Sequence, residues 1–287
     1  MKKIPIRQIR AAFPDVQSAE RFTIRRLQDL VGETDLIHDL HRHDFFFILA
    51  LKNGEGIHEI DFTSYQVLNN SIFFLRPGQV HQLDLKAGCT GFLVEYNTEF
   101  YNPNTKLSIQ RLRKASSKNY CKLEISRFEK IQATLNAMFL EYTDKEEGYK
   151  EVIKANLDIF FIEFVRQSPN PTGPPVAINQ YTQERLEEFL ELLEIHITTY
   201  KLASQYAGFM NLSLYQLNEI TKTTLGKITS ELINERIVLE AKRYLLATPD
   251  QIKEIADQLG YEDASYFIRF FKKHSGYTPE AFRQNFG

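Results

Sequence analysis

Ile255-Ala256-Asp257-Gln258-Leu259-Gly260-Tyr261, then Ala264-Ser265-Tyr266-Phe267, then Arg269-Phe270-Phe271-Lys272-Lys273 and Gly276, is the stretch that decides the fold of the last hundred residues. An apolar helix, a glycine turn and a second helix closing on Lys-x-x-x-Gly make a helix-turn-helix. In that motif one helix braces another, whose exposed face enters the major groove of DNA. The pattern occurs twice. Ala207, Met210, Asn211, Leu212, Ser213, Tyr215, Leu217, Lys222 and Gly226 form an earlier and weaker copy. Ser213 and Asp263 stand where each second helix begins, and a Ser or Asp side chain there caps free backbone amides. One helix is expected to join the copies, from about Thr229 to Ala247, with Leu232, Ile233, Ile237, Ala241, Tyr244 and Leu245 inward and Pro249 beyond its end.

Helical register sorts the faces of the two second helices. In the first, Leu214, Leu217 and Ile220 are expected to turn inward while Tyr215, Asn218, Glu219 and Lys222 point out. In the second, Phe267, Phe270 and Phe271 pack while Ser265, Tyr266, Arg269 and Lys273 are outward or flanking. Tyr215 and Tyr266 have a second reading, as packing residues whose hydroxyls reach water.

The chain has 287 residues, enough for two domains with separate cores. Ser168-Pro169-Asn170-Pro171-Thr172-Gly173-Pro174-Pro175 supports neither helix nor central strand, so the expected domains are 1–167 and 179–287, with 168–178 as a stiff linker. Upstream, Phe45–Leu51, Ile57–Phe62, Ser71–Leu75 and Gly91–Tyr96 are predicted strands, separated by the turns Lys52–Gly56 and Arg76-Pro77-Gly78. Short, evenly spaced strands suggest a small barrel or sandwich. Two helices follow, through Ile125, Phe128, Ile131, Leu135, Met138 and Phe139, and through Val152, Ile153, Leu157, Phe160, Phe161, Phe164 and Val165. The second carries more apolar residues than one covered face needs; it is either wedged between barrel and neighbours or supplies a dimer interface. Past the linker, Leu186, Phe189, Leu190, Leu193 and Ile197 form another amphipathic stripe, and Thr278-Pro279 starts a short last helix.

No apolar run approaches the roughly 20 residues of a membrane span, and Met1-Lys2-Lys3 leads into no signal-peptide core, so a cytoplasmic protein without a membrane partner is expected. Cys89 and Cys121, the only cysteines, form neither a disulfide framework nor a cysteine zinc site. From Asn179 onward there are 12 Lys and Arg against 15 Asp and Glu, an unusual balance for a DNA-binding half. The distribution answers it in part. Glu184, Glu187, Glu188, Glu191 and Glu194 gather on the leading helix, whereas residues 264–287 hold Arg269, Lys272, Lys273 and Arg283 against Glu280.

The two copies and their joining helix, from about Ile195 to Phe286, resemble the DNA-binding domain of the AraC/XylS family of bacterial transcription regulators. The likeness is strongest in Glu240–Leu246 and from Ile255 through Phe271-Lys272-Lys273-His274-Ser275-Gly276-Tyr277-Thr278-Pro279. It implies base-reading positions at Tyr215, Asn218 and Glu219 in the first helix and at Ala264, Ser265, Tyr266 and Arg269 in the second. Arg269 suits a guanine edge, Asn218 an adenine and Glu219 a cytosine, while Lys222, Lys272 and Lys273 suit phosphates. Thr221 departs from the large apolar residue the family places there, which points to a looser first unit. The implied partners are double-stranded promoter DNA, a small-molecule effector, a second copy of the chain and, for an activator, RNA polymerase.

His41-Arg42-His43 followed by Pro77-Gly78-x-x-His81 is similar to the two motifs of the cupin barrel, which AraC-type regulators often carry as an effector domain. The expected fold is therefore α+β, a cupin-like barrel with helices followed by an all-α DNA-binding domain. In metal-binding cupins a glutamate joins such histidines, but Phe45-Phe46-Phe47-Ile48 occupies its place here. Three imidazoles alone can still hold zinc. The reading adopted is a barrel with no metal and no cofactor, in which His41, His43, Phe45, Phe47, Arg76 and His81 line an effector pocket. The alternative is a metal-dependent cupin enzyme fused to a helical association domain. Among the signatures of catalysis, no P-loop, G-x-S-x-G elbow, HExxH or dinucleotide fingerprint occurs.

Overall fold

The computed structural model describes residues 6–7, 21–31, 34–116, 118–167 and 180–286. They fall into two compact units, one running to Gln167 and the other starting at Gln180. The proline-rich segment read as a linker lies outside the described residues.

Two five-stranded sheets build the first unit. One has the order β1 (Ile6–Arg7), β3 (Leu36–His43), β8 (Val80–Leu85), β5 (Gly56–Ile60), β6 (Thr63–Val67). The other runs β10 (Tyr120–Lys122), β7 (Ser71–Leu75), β4 (Phe46–Asn53), β9 (Thr90–Tyr96), β2 (Phe22–Arg26). Apart from the parallel β1–β3 pair, the ladders are antiparallel. Helices α1 (Gln28–Val31), α2 (Lys106–Ser116), α3 (Ile125–Asp144) and α4 (Tyr149–Gln167) complete the unit.

Alternation explains the continuous apolar strings of β4, β7 and β9. Phe47, Leu49, Leu51, Phe73, Leu75 and Leu93 join Ile60, Val67, Leu83 and Leu85 of the other sheet in one core. Their chain neighbours Ile48, Ala50, Ile72, Phe74, Phe92 and Val94 join a second core with Phe128, Ile131 and Leu135 of α3 and Phe160, Phe161 and Phe164 of α4. A sheet covered on both faces has no polar face to show. The wedge reading of the apolar helix therefore holds, since Phe160, Phe161 and Phe164 are spent inside.

One strand is shorter than expected. Asp61 and Phe62, read as strand, both have positive φ (46° and 67°) and make the turn between β5 and β6. Two consecutive positive-φ residues are what a tight hairpin with right-handed twist demands. Asp61 accepts hydrogen bonds from Gln79 Nε2 (2.6 Å) and Val80 N (3.2 Å), which hold the turn in place.

The second unit is helical: α5 (Gln180–His196), α6 (Ala203–Phe209), α7 (Leu214–Leu225), α8 (Thr229–Ala247), α9 (Ile252–Gln258), α10 (Ala264–Ser275) and α11 (Pro279–Phe286). The joining helix α8 has the predicted limits and buries Ile233, Ile237, Ala241 and Leu245, with Leu232 and Tyr244 half-buried. Its end is tied down by Arg283 of α11, which donates from Nε to Leu245 O (2.9 Å) and from Nη2 to Asp250 O (2.7 Å). A cation at the last carbonyls of a helix is also favoured by the helix dipole.

Candidate functional sites

The two helix-turn-helix units, α6–α7 and α9–α10, share their local logic. Ser213 Oγ accepts from Gln216 N (3.2 Å) while Gln216 Oε1 accepts from Ser213 N (2.9 Å), a reciprocal capping box. In the second unit Asp263 Oδ1 accepts from Ser265 N (2.7 Å). Both predicted caps thus form. Each second helix closes on a left-handed glycine whose amide returns to the lysine carbonyl, Gly226 to Lys222 (2.9 Å) and Gly276 to Lys272 (3.0 Å).

The predicted faces are largely reproduced. Leu217, Ile220, Phe267 and Phe271 are buried; Glu219, Lys222, Ser265, Arg269, Lys272 and Lys273 are exposed. Tyr215 is 74% exposed, so it does not pack, and Tyr266 is 57% exposed with its ring 5.9 Å from that of Tyr261. Phe270 is half-buried between Tyr261 and His274, and Ala264 is half-buried at the start of α10.

Three positions differ from expectation. Leu214 is 43% exposed instead of inward. As the first residue of α7 it projects back over the turn, not onto the bundle. Asn218, expected outward, is half-buried, and its Oδ1 accepts from Thr229 N (3.0 Å) at the start of α8. Thr221 is fully buried, not loosely seated, and donates to Asn218 O (3.2 Å). A hydroxyl with a partner fills the place where Phe271 stands in the second copy.

A contact invisible in the motif joins the units. Gly260, at φ +73°, lies so close to Thr198 that an added Cβ would sit 1.7 Å from the Thr198 carbonyl oxygen. Lys201 Nζ donates to Thr198 O (3.1 Å) and Gly260 O (2.8 Å) and lies 4.8 Å from the ring centre of Tyr261. Burial pulls the Lys201 pKa below the usual lysine value. The segment leading into the first unit is thereby fastened to the turn of the second.

Internal ion pairs of this half take up acids and cations alike and leave its net negative balance unchanged. Arg185 pairs with Glu188, Lys227 with Glu235, Arg236 with Glu240 and Glu194, and Arg243 with Glu240. Those acids neutralise cations of the scaffold. Lys222, Arg269, Lys272 and Lys273 remain exposed on α7 and α10, where they leave a local excess of positive charge.

In the first unit the structure brings His41, His43, Phe45, Phe47 and His81 together. All five are buried, with ring centres of His43 and Phe45 4.3 Å apart, of His43 and Phe47 5.3 Å, and of Phe47 and His81 5.2 Å. Arg76, after β7, is half-buried. His58 belongs to the cluster although sequence reasoning passed it over. Its Nε2 is 2.8 Å from His81 Nδ1. The signal was present: His58 precedes Ile60 by two residues, on the inward row of β5. Burial lowers the His58 pKa to about 3, helped by His41 and His38, and burial with the neighbouring imidazoles holds His81 well below the ordinary value. One ring nitrogen each from His41, His43 and His81 lie within 4.8 Å of one another, so a barrel expected to hold no metal presents three convergent imidazoles. Two concavities elsewhere in the unit, one of about 490 Å³ beside Tyr101, Arg111, Lys154 and Asp158 and one of about 420 Å³ beside Arg26, Asn53 and Gln132, include none of the expected pocket residues.

Residues 31–156 match the model of the AraC-like ligand binding domain, and residues 206–285 match that of a helix-turn-helix domain. The chain belongs to the AraC family of transcription regulators. The transcriptional activator RhaS of Enterobacter sp. is 22% identical over 250 residues, covering 85% of this chain and 87% of that protein. The transcriptional regulator YfiF of Bacillus subtilis is 22% identical over 247 residues, covering 85% of this chain and 78% of its own length. Among solved structures, ToxT from Vibrio cholerae O395 aligns over 93% of this chain and 97% of its own, at 16% identity and a TM-score of 0.42. As an AraC-family regulator the chain has a cupin-like ligand-binding domain and a helical DNA-binding domain, and its relatives are transcription regulators. No helix among the described residues is long and apolar enough to cross a membrane.

Proposed function

We propose that this regulator reads two adjacent major-groove segments, one with each second helix, and that the work is divided unequally. The observation that carries the proposal is the exposed face of α10, where Arg269, Lys272 and Lys273 stand together beside Ser265 and Tyr266. Arg269 presents a guanidinium fork suited to O6 and N7 of guanine. Lys272 and Lys273, with Lys222 on α7, contact phosphates, which position without specifying. Ala264, Ser265 and Tyr266 flank the Arg269 contact. On α7 the base-facing groups are Tyr215 and Glu219, while Asn218 is a positioning residue because its carbonyl is committed to α8.

The barrel interior around His41, His43, Phe45, Phe47 and His81 is the sensory site, with Arg76 at its margin. Its occupation biases the arrangement of the two units, as any ligand that binds one state better must. The protein acts in the cytoplasm and is not an enzyme. It pairs with a second copy of the chain, and where it activates a promoter it meets RNA polymerase. Selection of bound sequences from random DNA, followed by footprinting of the winner, tests the reading. Two protected major-groove segments about one helical turn apart are expected. Equal binding to every sequence, in the presence and absence of cell extract, would overturn it.

A further inference from the structure

The cleft of about 420 Å³ in the first unit takes its walls from the end of β2, the end of β4, the start of β9 and one face of α3. Its charge is one-sided. Arg26 and Lys52 line it and no Asp or Glu does, although the chain carries a formal net charge of −2. Neither cation pairs with an acid among the described residues, and the Arg26 guanidinium lies over the Phe139 ring, 4.5 Å from its centre. A guanidinium resting on an aromatic face still presents its edge of N–H donors to a carboxylate or phosphate. The cleft beside Tyr101 is different. There Glu99 and Asp158 balance Arg111 and Lys154, and the Tyr101 hydroxyl already donates to Asp158 (2.7 Å).

Local structure puts the groups of the first cleft in place. Lys52 and Asn53 are consecutive, and in a regular strand they would face opposite sides of the sheet. Both line the cleft because the β4–β9 ladder slips here: Leu51 pairs with Gly91 and Asn53 with Thr90, which leaves Lys52 without an opposite residue. Such a bulge re-aims side chains. On α3, Gln132, Asn136 and Phe139 follow at the i, i+4, i+7 spacing of one helical face. The polar groups suit hydroxyls. Asn53 Nδ2 donates to Thr90 Oγ1 at 3.0 Å, which leaves the Thr90 proton to donate and Asn53 Oδ1 to accept. The Gln132 and Asn136 amides have no hydrogen-bond partner among the described residues, so each brings donors and an acceptor to the cleft.

We propose that this cleft is a ligand site outside the barrel interior and that it takes a small hydroxylated anion, a sugar acid or a sugar phosphate. Arg26 and Lys52 hold the carboxylate or phosphate, while Thr90, Asn53, Gln132 and Asn136 hold the hydroxyls. The cleft is of the size of small-molecule sites, which span roughly 300–1,000 Å³. Its occupant touches sheet and helix together, so binding ties α3 to the ends of β2 and β4 and stabilises the first unit by mass action. The inference does not depend on what the barrel interior binds.

Isothermal titration calorimetry on the purified full-length chain at low salt tests it with D-gluconate, glucose 6-phosphate, glucose and inorganic phosphate. Gluconate or glucose 6-phosphate should bind at one per chain, at least about tenfold more tightly than glucose or phosphate alone. Which of the two binds more tightly tells a carboxylate site from a phosphate site. Arg26→Gln and Lys52→Gln should each weaken that binding about 10–100-fold, as loss of a charge-assisted hydrogen bond does, and Asn136→Ala about 2–10-fold. Lys253→Gln, on α9, should leave it unchanged. Arg26 and Lys52 are exposed, so their variants keep the fold, which an unchanged unfolding midpoint without ligand verifies. Failure of both hydroxylated anions to bind overturns the proposal. Equally tight binding of glucose or of phosphate does so too, since the cleft would then be blind to charge or to hydroxyls. Undiminished binding to a chain carrying both Arg26→Gln and Lys52→Gln would put the ligand elsewhere, the lysines of α10 included, and would also overturn it.

Discussion

Replacing Asn218 by Ala separates a scaffold role from a reading role. The side-chain oxygen accepts from Thr229 N at 3.0 Å, at the first residue of α8. Ile228, at the N-cap, has no side-chain acceptor to offer, and Glu231 covers the Ile228 amide at 2.9 Å, so Asn218 supplies the missing cap from another helix. Losing a cap of this kind costs about 1 kcal/mol, within a range of roughly 0.5–2. Opening of the first turn of α8 should become about fivefold more frequent, since 1 kcal/mol is worth that factor. Amide hydrogen exchange on the full chain reads this directly: protection at Thr229 and its neighbours should fall about fivefold, while the base preferences recovered from random DNA stay unchanged. Arg269→Ala should behave in the opposite way, with protection kept and preference at one base pair relaxed. If Asn218→Ala relaxed a base preference and left the Thr229 amide as protected as before, the assignment of its carbonyl to α8 would be wrong and adenine recognition would be restored.

Other perturbations have equally definite outcomes. Arg269→Ala should cost about 1–3 kcal/mol in affinity for the selected site, whereas Lys273→Ala should weaken all sequences alike and reduce the slope of log affinity against log salt by about 1 in fluorescence anisotropy titrations. Arg283→Met removes two charge-assisted bonds to carbonyls at and beyond the end of α8, each worth about 1.5–3 kcal/mol, so urea should unfold the helical unit at clearly lower concentration; an unchanged midpoint would discount those bonds. Gly260→Ala should disrupt that unit and its DNA binding together, because its Cβ has no room at Thr198 O. The histidine cluster sets a pH dependence. His58, about 3 when folded, and His81, also lowered, take up protons on unfolding once the pH is below about 6.5. Stability of the barrel is therefore full above that pH and falls beneath it by about 1.4 kcal/mol per unit per histidine, and a flat profile between pH 7 and 5 would contradict their burial as neutral rings.

What could be seen in the chain alone was whatever depends on near neighbours. Ser213, Asp263, Gly226 and Gly276 act within one helical turn, and α8 carries its own period, so caps, ends and buried face were all legible. The strings of β4, β7 and β9 were legible as strands, though not as a sheet covered on both faces, because a continuous apolar run is silent about what covers it. Asp61 and Phe62 were missed because a Phe at positive φ defies the usual turn chemistry. The partners of Asn218, Lys201, Arg283 and His58 lie 11, 59, 38 and 23 positions away, on other elements, and no local pattern announces them. The candidate reading residues came from the family resemblance, and helical register sorted most of their faces correctly, with Asn218 the exception. The histidine cluster required knowing which rows of β3, β5 and β8 face inward.

The fastening of Gly260 and Lys201 bears on how such a regulator could change its targets over evolutionary time. On the proposed division of reading, letters of an operator can be exchanged cheaply, one exposed side chain at a time, at Tyr215, Glu219, Ser265 or Arg269. The gap between its two halves cannot, because the segment ahead of the first unit is seated on the turn of the second with no room for a methyl group. A lineage carrying this contact would acquire new promoters by rewriting bases within an inherited ruler.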